Sequence, residues 1–406
     1  MDQGNSLLNR SALKYFVPMV PAIILIAATI NMSCNTSGLP NLVTNSGSAT
    51  ATPTSTSTAG TGSLAFVSNF AAGTVASFTR NTTTGVLKRT AVTTAGKKTG
   101  PKGLGLAAGG SFLYVANSSD GNIYEFSVNK TSGVLTPLGT PSISNGAGSG
   151  PDEIAINSAG TFLFVTGFKN GTVTSYSINA GTGLLTQVKT KVTGLTNPFG
   201  IAIDTTNSFV FVTDNSTGLV FSFKINTDGS LTQVGSAIAD LNGPGGHPGF
   251  IADDPGGAFI YVTDLDAGLV SVLGVSAGTL SFGQLVPTTT SDELPIGIGY
   301  STVSSGNFIF AANQGTSTMW SFQLVTPGAP SPPVTFGTGG EVNQPTGLVV
   351  DPQNAFLYTT NQGAGTVSQF TLNPTCSGAA GPPCFVSAVS TGSGSTGGPF
   401  DIILGQ

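Results

Sequence analysis

One histidine, His247, occurs among the 406 residues of the chain, within the stretch GGHPGFIADDPGGAFIYVTDLDAG. An imidazole near a carboxylate can act as a general base that activates water, because the carboxylate orients the ring and raises its pKa. Asp264 and Asp266 follow in the same stretch, and Glu293 could supply a further carboxylate by its position. These four side chains are the predicted catalytic residues of a hydrolase. Alternatively, the histidine lies at the start of a strand, forms a hydrogen bond with a neighbouring carboxylate and has no catalytic role.

Other catalytic classes lack their signatures in the sequence. A Ser/His/Asp triad would have to use His247, and no recognisable nucleophile turn accompanies it. The stretches DLDAG and NTDGS resemble fragments of calcium loops but supply too few oxygen ligands. No glycine loop of the phosphate-binding type precedes a helix. We therefore predict neither a metal nor a cofactor.

The beginning of the chain is typical of an export signal. Arg10 and Lys14 precede the apolar stretch 16–30, which is too short for a comfortable membrane span. The residues NMSC then place Cys34 after a small residue, as in bacterial lipoprotein signals, in which the cysteine is lipidated after cleavage. We predict a signal peptide at 1–33 and a membrane-anchored lipoprotein, periplasmic or on the cell surface. An ordinary cleaved signal is the alternative.

Two features of the remaining chain fit an exported protein. The Ser/Thr-rich stretch 34–63 has nothing to bury and is typical of a flexible tether. Cys376 and Cys384 stand eight residues apart in TCSGAAGPPC. Export permits a disulfide between them, which would close a small loop, whereas two free thiols are the other reading.

From residue 64 to residue 406 the chain repeats itself. The strand endings FVSN, YVAN, FVTG, FVTD, YVTD, FAAN and YTTN recur 47 to 50 residues apart. A small residue and then a large apolar residue follow each ending at fixed offsets. A period of this length with several short strands per copy is typical of β-propeller blades. We predict an all-β fold, a seven-bladed β-propeller of four-stranded antiparallel blades.

The two ends of the repeat region complete each other. Most copies begin with a proline-led inner strand, such as PKGLGLAA or PFGIAID, but the first copy lacks one. The C-terminal residues GGPFDIILGQ match that strand and have no later partner. We therefore predict that the last strand pairs into blade one and closes the ring.

In an antiparallel blade, the start of the inner strand and the end of the second strand lie at one face. Polar residues at these positions should surround one mouth of the central channel, and Asp401 joins them from the closing strand. Asn and Asp at the strand endings could instead cap their own turns. The predicted ligand-binding residues are Lys102, Asp152, Glu153, Asp214, Asn313 and Asn361.

Charge is distributed unevenly along the chain. Residues 34–224 carry 11 basic and 6 acidic side chains, whereas residues 225–406 carry 11 acidic side chains and no basic one. No basic stripe exists, so nucleic acid is not expected as a partner. Only 8% of the residues are charged, so hydroxyl and amide groups must solvate much of the surface.

The repeats at 65–406 resemble the seven-bladed β-propeller lactonase family, which includes 6-phosphogluconolactonases and carboxymuconate-cyclising enzymes. They are also similar to surface propellers built from YVTN repeats. His247, Pro248, Asp264 and Leu265 match a His-Pro strand opening and an Asp-Leu-Gly strand ending of the lactonases, while Asp266 stands in place of the glycine. The resemblance implies lactone hydrolysis with the histidine, assisted by an arginine and a glutamate.

Two functions follow as hypotheses. The first is an exported lactonase-like hydrolase, a 6-phosphogluconolactonase-like enzyme by resemblance, which would act on a lactone or sugar lactone at the mouth. The second is a non-catalytic binding or scaffold propeller with a glycan, cell-wall or protein ligand. Arg80 and Arg89 are the only arginines beyond the signal, and both belong to outer strands of blade one, which favours the second. We expect a monomer in either case.

Overall fold

The computed structural model describes residues 64–96, 99–188, 191–239, 246–287, 294–372, 383–393 and 398–405. These residues form seven antiparallel sheets. The predicted signal peptide and tether, with Cys34, and also Glu293 and Cys376 lie outside the described residues. In the described part, no helix is long and apolar enough to cross a membrane.

The first four sheets, blades one to four, follow the order of the chain. Blade one contains β1 (Leu64–Asn69), β2 (Thr74–Arg80) and β3 (Leu87–Thr94). Blade two contains β4 (Pro101–Leu106), a 3₁₀ turn (Ala108–Gly110), β5 (Phe112–Asn117), β6 (Asn122–Val128) and β7 (Leu135–Ser144). Blade three contains β8 (Pro151–Ile156), β9 (Phe162–Gly167), β10 (Thr172–Ile178) and β11 (Leu185–Gln187). Blade four contains β12 (Pro198–Ile203), β13 (Phe209–Asp214), β14 (Leu219–Ile225), β15 (Leu231–Gln233) and β16 (Ile238–Ala239).

Blades five to seven continue the pattern. Blade five contains β17 (Pro248–Asp253), β18 (Phe259–Asp264), β19 (Leu269–Ser276) and β20 (Thr279–Pro287). Blade six contains β21 (Pro295–Val303), β22 (Gly306–Asn313), β23 (Thr318–Thr326), β24 (Ala329–Pro330) and β25 (Val334–Phe336). Blade seven contains β26 (Pro345–Val350), β27 (Phe356–Asn361), β28 (Thr366–Thr371) and β29 (Cys384–Ser390). The last strand, β30 (Pro399–Leu404), is the inner strand of blade one.

The second strand of each blade is buried almost throughout. Strand β5 has the sequence FLYVAN and β18 has FIYVTD, with apolar residues at successive positions instead of the alternation of a half-exposed strand. Each blade packs between two neighbours, so both faces of its middle strands need apolar side chains. Phe211, Ile260 and Leu273, for example, belong to one buried cluster that joins blades four and five.

A glycine in the turn after the third strand packs on the preceding blade. Gly183 of blade three has φ +75°, and a Cβ on it would overlap the ring of Phe112 in blade two. The hydroxyl of Tyr114 donates to the carbonyl of Gly183 at 2.6 Å. Between blades seven and one, Tyr358 donates in the same way to Gly85 at 2.6 Å. The junction that closes the ring therefore uses the same contact as a junction inside it.

The C-terminal strand closes the ring, as the sequence predicts. Strand β30 pairs antiparallel with β1, so that Phe66 lies opposite Ile403. The inner strands then contact one another in the cyclic order β30, β4, β8, β12, β17, β21, β26 and back to β30. A buried ion pair of 3.1 Å between Arg80 and Asp351 also joins blade one to blade seven. The predicted fold, with its seven blades and its closure, is confirmed.

Candidate functional site at the channel mouth

Every inner strand begins with a bulge at the same end of the channel. Pro101 lies opposite Asn117, but Leu104 lies opposite Val115, so one register shift separates these pairs. The same shift follows the first proline of the inner strand in the other six blades. We call this end of the channel the mouth. The bulge residues, the two that follow each proline, are Lys102–Gly103, Asp152–Glu153, Phe199–Gly200, Gly249–Phe250, Ile296–Gly297, Thr346–Gly347 and Phe400–Asp401.

Neighbouring inner strands nearly touch at the bulges. A Cβ on Gly103 would lie 2.5 Å from the carbonyl oxygen of Asp152, and one on Gly347 would lie 2.6 Å from that of Phe400. Glycine is therefore needed where one strand presses on the next. Three blades have a larger residue at the second bulge position, namely Glu153, Phe250 and Asp401. Each of these blades follows a blade that has glycine at that position. This arrangement leaves space at the mouth for two carboxyls and one aromatic ring.

Threonine hydroxyls connect the bulges of successive blades. Thr166 accepts a hydrogen bond from the N–H of Glu153 at 3.0 Å and donates to the carbonyl of Phe199 in the next blade at 2.9 Å. Thr213, Thr263 and Thr360 make the corresponding pairs of bonds. Our sequence analysis missed this role. Its signal was the threonine before the last letter of FVTG, FVTD, YVTD and YTTN, a residue type that is also common in strands for its shape alone.

Lys102 lies at the centre of an aromatic cluster in the mouth. Its Nζ is 2.6 Å from Oδ2 of Asp152, and its side chain is 20% exposed. The same Nζ lies 5.0 Å from the ring centre of Phe400, 5.7 Å from that of Phe199 and 5.9 Å from that of Phe168. Ring faces attract a cation, and a partly desolvated ion pair is stronger than one in water. Residues from blades one to four thus hold a single ammonium group.

Three carboxyls, those of Asp152, Glu153 and Asp401, lie in this part of the mouth, and the first two are buried. Burial raises the pKa of Asp152, although Lys102 acts against the shift. Burial, followed by the charges of Asp401 and Asp152, raises the pKa of Glu153 well above its usual range. Burial raises the pKa of Asp401 to about 6. Among the described residues, Oδ1 of Asp152 and Oε1 of Glu153 have no hydrogen-bond partner. A carboxyl that keeps its proton at neutral pH can donate a hydrogen bond or a proton.

His247 lies at the edge of the mouth and contacts Asp266. Its Nε2 is 3.6 Å from Oδ2 of Asp266, and the two side chains are 38% and 60% exposed. Asp264 is buried instead, and its Oδ1 accepts from the N–H groups of Asp266 and Ala267 at 3.0 and 2.9 Å. The carboxylate next to the imidazole is therefore that of Asp266, while Asp264 caps the turn. An accessible imidazole beside a carboxylate can take a proton from water.

The predicted ligand-binding residues at the strand endings bond to the scaffold. Asp214 accepts from the N–H groups of Thr196 and Asn197 at 2.6 and 3.0 Å. The amide of Asn313 donates to Thr318 at 3.2 Å. Asn361 likewise donates to a threonine five residues further along, and it accepts from the loop before its inner strand. These side chains are buried, and Asp214 and Asn361 bond to the loop before their own inner strand rather than to the turn that follows them.

The remaining predictions concern cysteines, arginines and metals. Cys384 is disulfide-bonded, and its predicted pairing with Cys376 stays a prediction because that residue is not described. Arg80 and Arg89 contact blade seven rather than the mouth. Among the described side chains, no group of three or more His, Cys, Asp and Glu residues could hold a metal ion.

The sequence matches one family profile, described as a lactonase with a seven-bladed beta-propeller, over residues 53–149 and 142–299. Among proteins with curated descriptions, none matches the chain.

Solved structures share the fold at low identity. A putative 6-phosphogluconolactonase from Bacteroides fragilis has 17% identity and a TM-score of 0.72, with 87% of this chain and 100% of that chain covered. The periplasmic gluconolactonase PpgL from Pseudomonas aeruginosa has 17% identity and a TM-score of 0.68, with 84% and 99% covered. A protein from Lactobacillus plantarum has 16% identity and a TM-score of 0.69, with 85% and 99% covered. At such identities the likeness concerns the fold.

Proposed function

The chain belongs to the lactonase family of seven-bladed β-propellers, and from this premise we propose that it hydrolyses a lactone at the mouth of its channel. The observation that carries the proposal is the contact between His247 and Asp266 at 3.6 Å, at the open edge of the mouth. This pair combines an accessible imidazole, which can accept a proton, with a carboxylate beside it that can orient the ring.

The chemistry assigns one role to each member of the pair. The imidazole of His247 removes a proton from water, and the water oxygen attacks the lactone carbonyl carbon. The ring C–O bond then breaks, and the departing oxygen takes up the proton from the imidazolium. Asp266 stabilises the imidazolium between these two steps. The products are a hydroxy acid and the neutral histidine.

The charges of the mouth favour a lactone without a phosphate group. Lys102 is already paired with Asp152, and Glu153 and Asp401 lie beside that pair. The two carboxylates near His247, Asp264 and Asp266, add negative charge on the other side. A phosphorylated lactone would need unpaired cations to offset its charge. We therefore expect an uncharged sugar lactone to be the better substrate.

A panel of lactones tests this function. Wild type should open glucono-δ-lactone faster than its 6-phosphate, measured as acid release in a pH-stat. His247→Ala should lower kcat/KM about 100-fold or more, and Asp266→Asn about tenfold. Asp228→Asn, an exposed aspartate in an outer turn of blade four, is the matched control and should keep the wild-type rate. Equal rates for wild type and His247→Ala, or no turnover by either, would remove the catalytic function.

A binding propeller is the second candidate. Asp214, Asn313 and Asn361 bond to the scaffold, so the hydrolase would lack them as groups that position a lactone, and a binding protein would use other parts of the mouth or the blade edges. The binding propeller is also favoured by the position of Arg80 and Arg89 away from the mouth. Pull-down with peptidoglycan and with immobilised glycans tests it. Retention by one of these without lactone turnover would replace the hydrolase with a binding protein.

We further propose that the chain is exported and lipidated, with a signal peptide at 1–33, a tether at 34–63 and the propeller from 64. Its likeness to a periplasmic enzyme supports export. Labelling with a palmitate analogue in a bacterial host should give a lipidated protein. The label should be lost in Cys34→Ser and kept in Cys376→Ser. Labelling that persists in Cys34→Ser would contradict the anchor.

A further inference from the structure

A cavity of about 300 Å³ lies at the end of the channel opposite the mouth. It is formed where the inner strands of blades one to four end, and Leu106, Ile156, Ile203 and Ile403 are among its walls. Along strand β4, Leu106 of the cavity lies three residues beyond Gly103 of the bulge, which corresponds to about 10 Å. We propose that this cavity binds a small uncharged molecule that has an apolar body and one or two hydrogen-bonding groups.

The walls of the cavity combine an aliphatic section with a polar one, which Asn157, Asp204 and Asn207 help to form. Leu106, Ile156 and Ile203 are the last residues of their inner strands, in three consecutive blades. All three side chains are only partly buried, although aliphatic groups gain most from full burial. Blades five and six interrupt the aliphatic residues with Asp253 and Tyr300 at the same strand position. An apolar ligand would cover this surface and exclude water from it.

The cavity offers no free charge to a ligand. Asp204 is the only charged residue among its lining residues. Oδ1 of its carboxylate accepts from the N–H groups of Ser208 and Phe209 at 2.7 Å each, and Oδ2 accepts from the N–H of Thr206 at 3.2 Å. These bonds satisfy both carboxylate oxygens. An anionic ligand would lose its hydration without gaining a partner of opposite charge, and a cationic ligand would find the oxygens of Asp204 already occupied by N–H donors.

Two hydroxyls at the rim remain for a ligand. The amide of Asn157 is occupied by its own turn, through bonds from the N–H groups of Thr161 and Phe162 at 2.9 Å. Ser158 accepts from Asn207, which leaves the hydroxyl hydrogen of Ser158 free to donate. In the described chain, the hydroxyl of Thr205 makes no hydrogen bond. The Ser158 hydroxyl can donate a hydrogen bond, and the Thr205 hydroxyl can donate or accept one. These two groups fit a molecule with a single hydroxyl or carbonyl group.

The loops around the cavity are fixed in place. Asn207 stands in the left-handed region with φ +57°, and its side chain holds Ser158 of the neighbouring blade through two bonds of 2.7 and 2.8 Å. The N–H of Thr205 donates to Asp253 of blade five at 3.0 Å. Blades three, four and five are therefore tied together beside the cavity. A preformed site costs a ligand little ordering entropy, so modest contacts suffice for binding.

The volume sets the size of the ligand. A dry apolar cavity of about 150 Å³ admits benzene, so this cavity has space for a bicyclic ring. We choose 1-naphthol as the probe, because it is uncharged at pH 7 and carries one hydroxyl on an apolar body. With the binding energy per heavy atom that is usual for small ligands, its dissociation constant should lie below about 1 mM.

Calorimetric titration of the whole protein with 1-naphthol tests the proposal. Ile203→Phe and Ile403→Phe fill the cavity from two different walls, and each should weaken binding at least tenfold. Val350→Phe is the matched control, because Val350 ends the inner strand of blade seven and does not line the cavity. It should keep the wild-type affinity. Thermal unfolding confirms that each variant is folded, and two filling variants keep the test valid if one does not fold.

The results separate the outcomes. Binding that both filling variants weaken and the control retains supports the site. Absence of binding by wild type at 5 mM probe, or equal affinity in wild type and both filling variants, overturns it. The anion 1-naphthoate and the cation 1-naphthylmethylammonium should bind at least tenfold more weakly than 1-naphthol. Equal affinity for either would overturn the inference that the ligand is uncharged. The result does not depend on lactone turnover.

Discussion

Thr166 in blade three donates a hydrogen bond of 2.9 Å from its hydroxyl to the carbonyl of Phe199 in blade four. The same oxygen accepts from the N–H of Glu153 in its own blade. One hydroxyl thus satisfies one backbone group in each of two neighbouring bulges, where strand pairing leaves these groups open. Because the bulge carries the charged residues of the mouth, this bond also determines where Glu153 and Asp152 lie.

Thr166→Val tests this connection, because valine keeps the shape and removes both hydrogen bonds. We expect a loss of about 1–3 kcal/mol in the free energy of unfolding, since a buried N–H and a buried carbonyl lose their partner. Urea denaturation measures it. Thr186→Val, at an exposed position of an outer strand, should change stability by less than about 0.5 kcal/mol. Equal losses in the two variants would show that the hydroxyl of Thr166 has no special role.

Asp253 should make stability depend on pH. Burial raises its pKa to about 7 in the folded chain, from an ordinary value of 3.8. Between these values the folded state holds a proton that the unfolded state has lost, so stability falls as pH rises from 4 to 7 and levels off above 7. Asp152, Glu153 and Asp401 shift in the same direction. Wild type should therefore be more stable at pH 5 than at pH 8.

Asp253→Asn isolates one of these groups. The amide oxygen can still accept from the N–H of Thr205, but the buried charge is gone. At pH 8 we expect a gain of roughly 2 kcal/mol in the free energy of unfolding, after allowance for partial exposure. Most of this gain should vanish at pH 4. Asp228→Asn is the control and should show no gain at pH 8, because hydrogen bonds from Ser230 lower the pKa of Asp228. A pH-independent gain would mean that packing, not charge, is the cause.

Lys102→Met should destabilise the mouth by about 3 kcal/mol at pH 8. Methionine keeps the apolar contacts with the phenylalanine rings but leaves Asp152 as a buried charge without a partner. At pH 5 the loss should be smaller, because the carboxyls can then take up protons. Lys102→Met/Asp152→Asn should recover at least half of the stability lost at pH 8, as measured by urea denaturation. No recovery in the double variant would show that the ion pair does not hold Lys102 in place.

The sequence predicts much of the fold because the fold repeats. A period near 48 residues, a missing first inner strand and an unmatched last strand together specify seven blades and their closure. The prediction also places Lys102, Asp152 and Glu153 at the mouth, since their position after the proline fixes the end of the strand.

The cluster around Lys102 could not be predicted in the same way. Phe168, Phe199 and Phe400 come from blades three, four and one, and their rings meet on Lys102. Phe199 and Phe400 stand in the bulges of inner strands, whereas Phe168 directly follows the second strand of its blade. A bulge depends on how closely neighbouring blades approach. A repeat pattern describes one blade at a time and carries no such information.

Gly347→Ala tests whether the close approach of inner strands builds the mouth. Gly347 has no positive φ, so position 347 requires glycine only for lack of space. A Cβ there would lie 2.6 Å from the carbonyl oxygen of Phe400 and 2.8 Å from Cα of Asp401. Backbone atoms cannot move aside as a flexible side chain can. We expect a loss of about 1–3 kcal/mol in the free energy of unfolding. Gly139→Ala, in an outer strand with no atom within 4 Å of the added methyl group, should be neutral or slightly stabilising. If Gly347→Ala is as stable as Gly139→Ala, the inner strands lie further apart at the mouth than this packing requires, and the positions of Lys102 and Glu153 would need another cause.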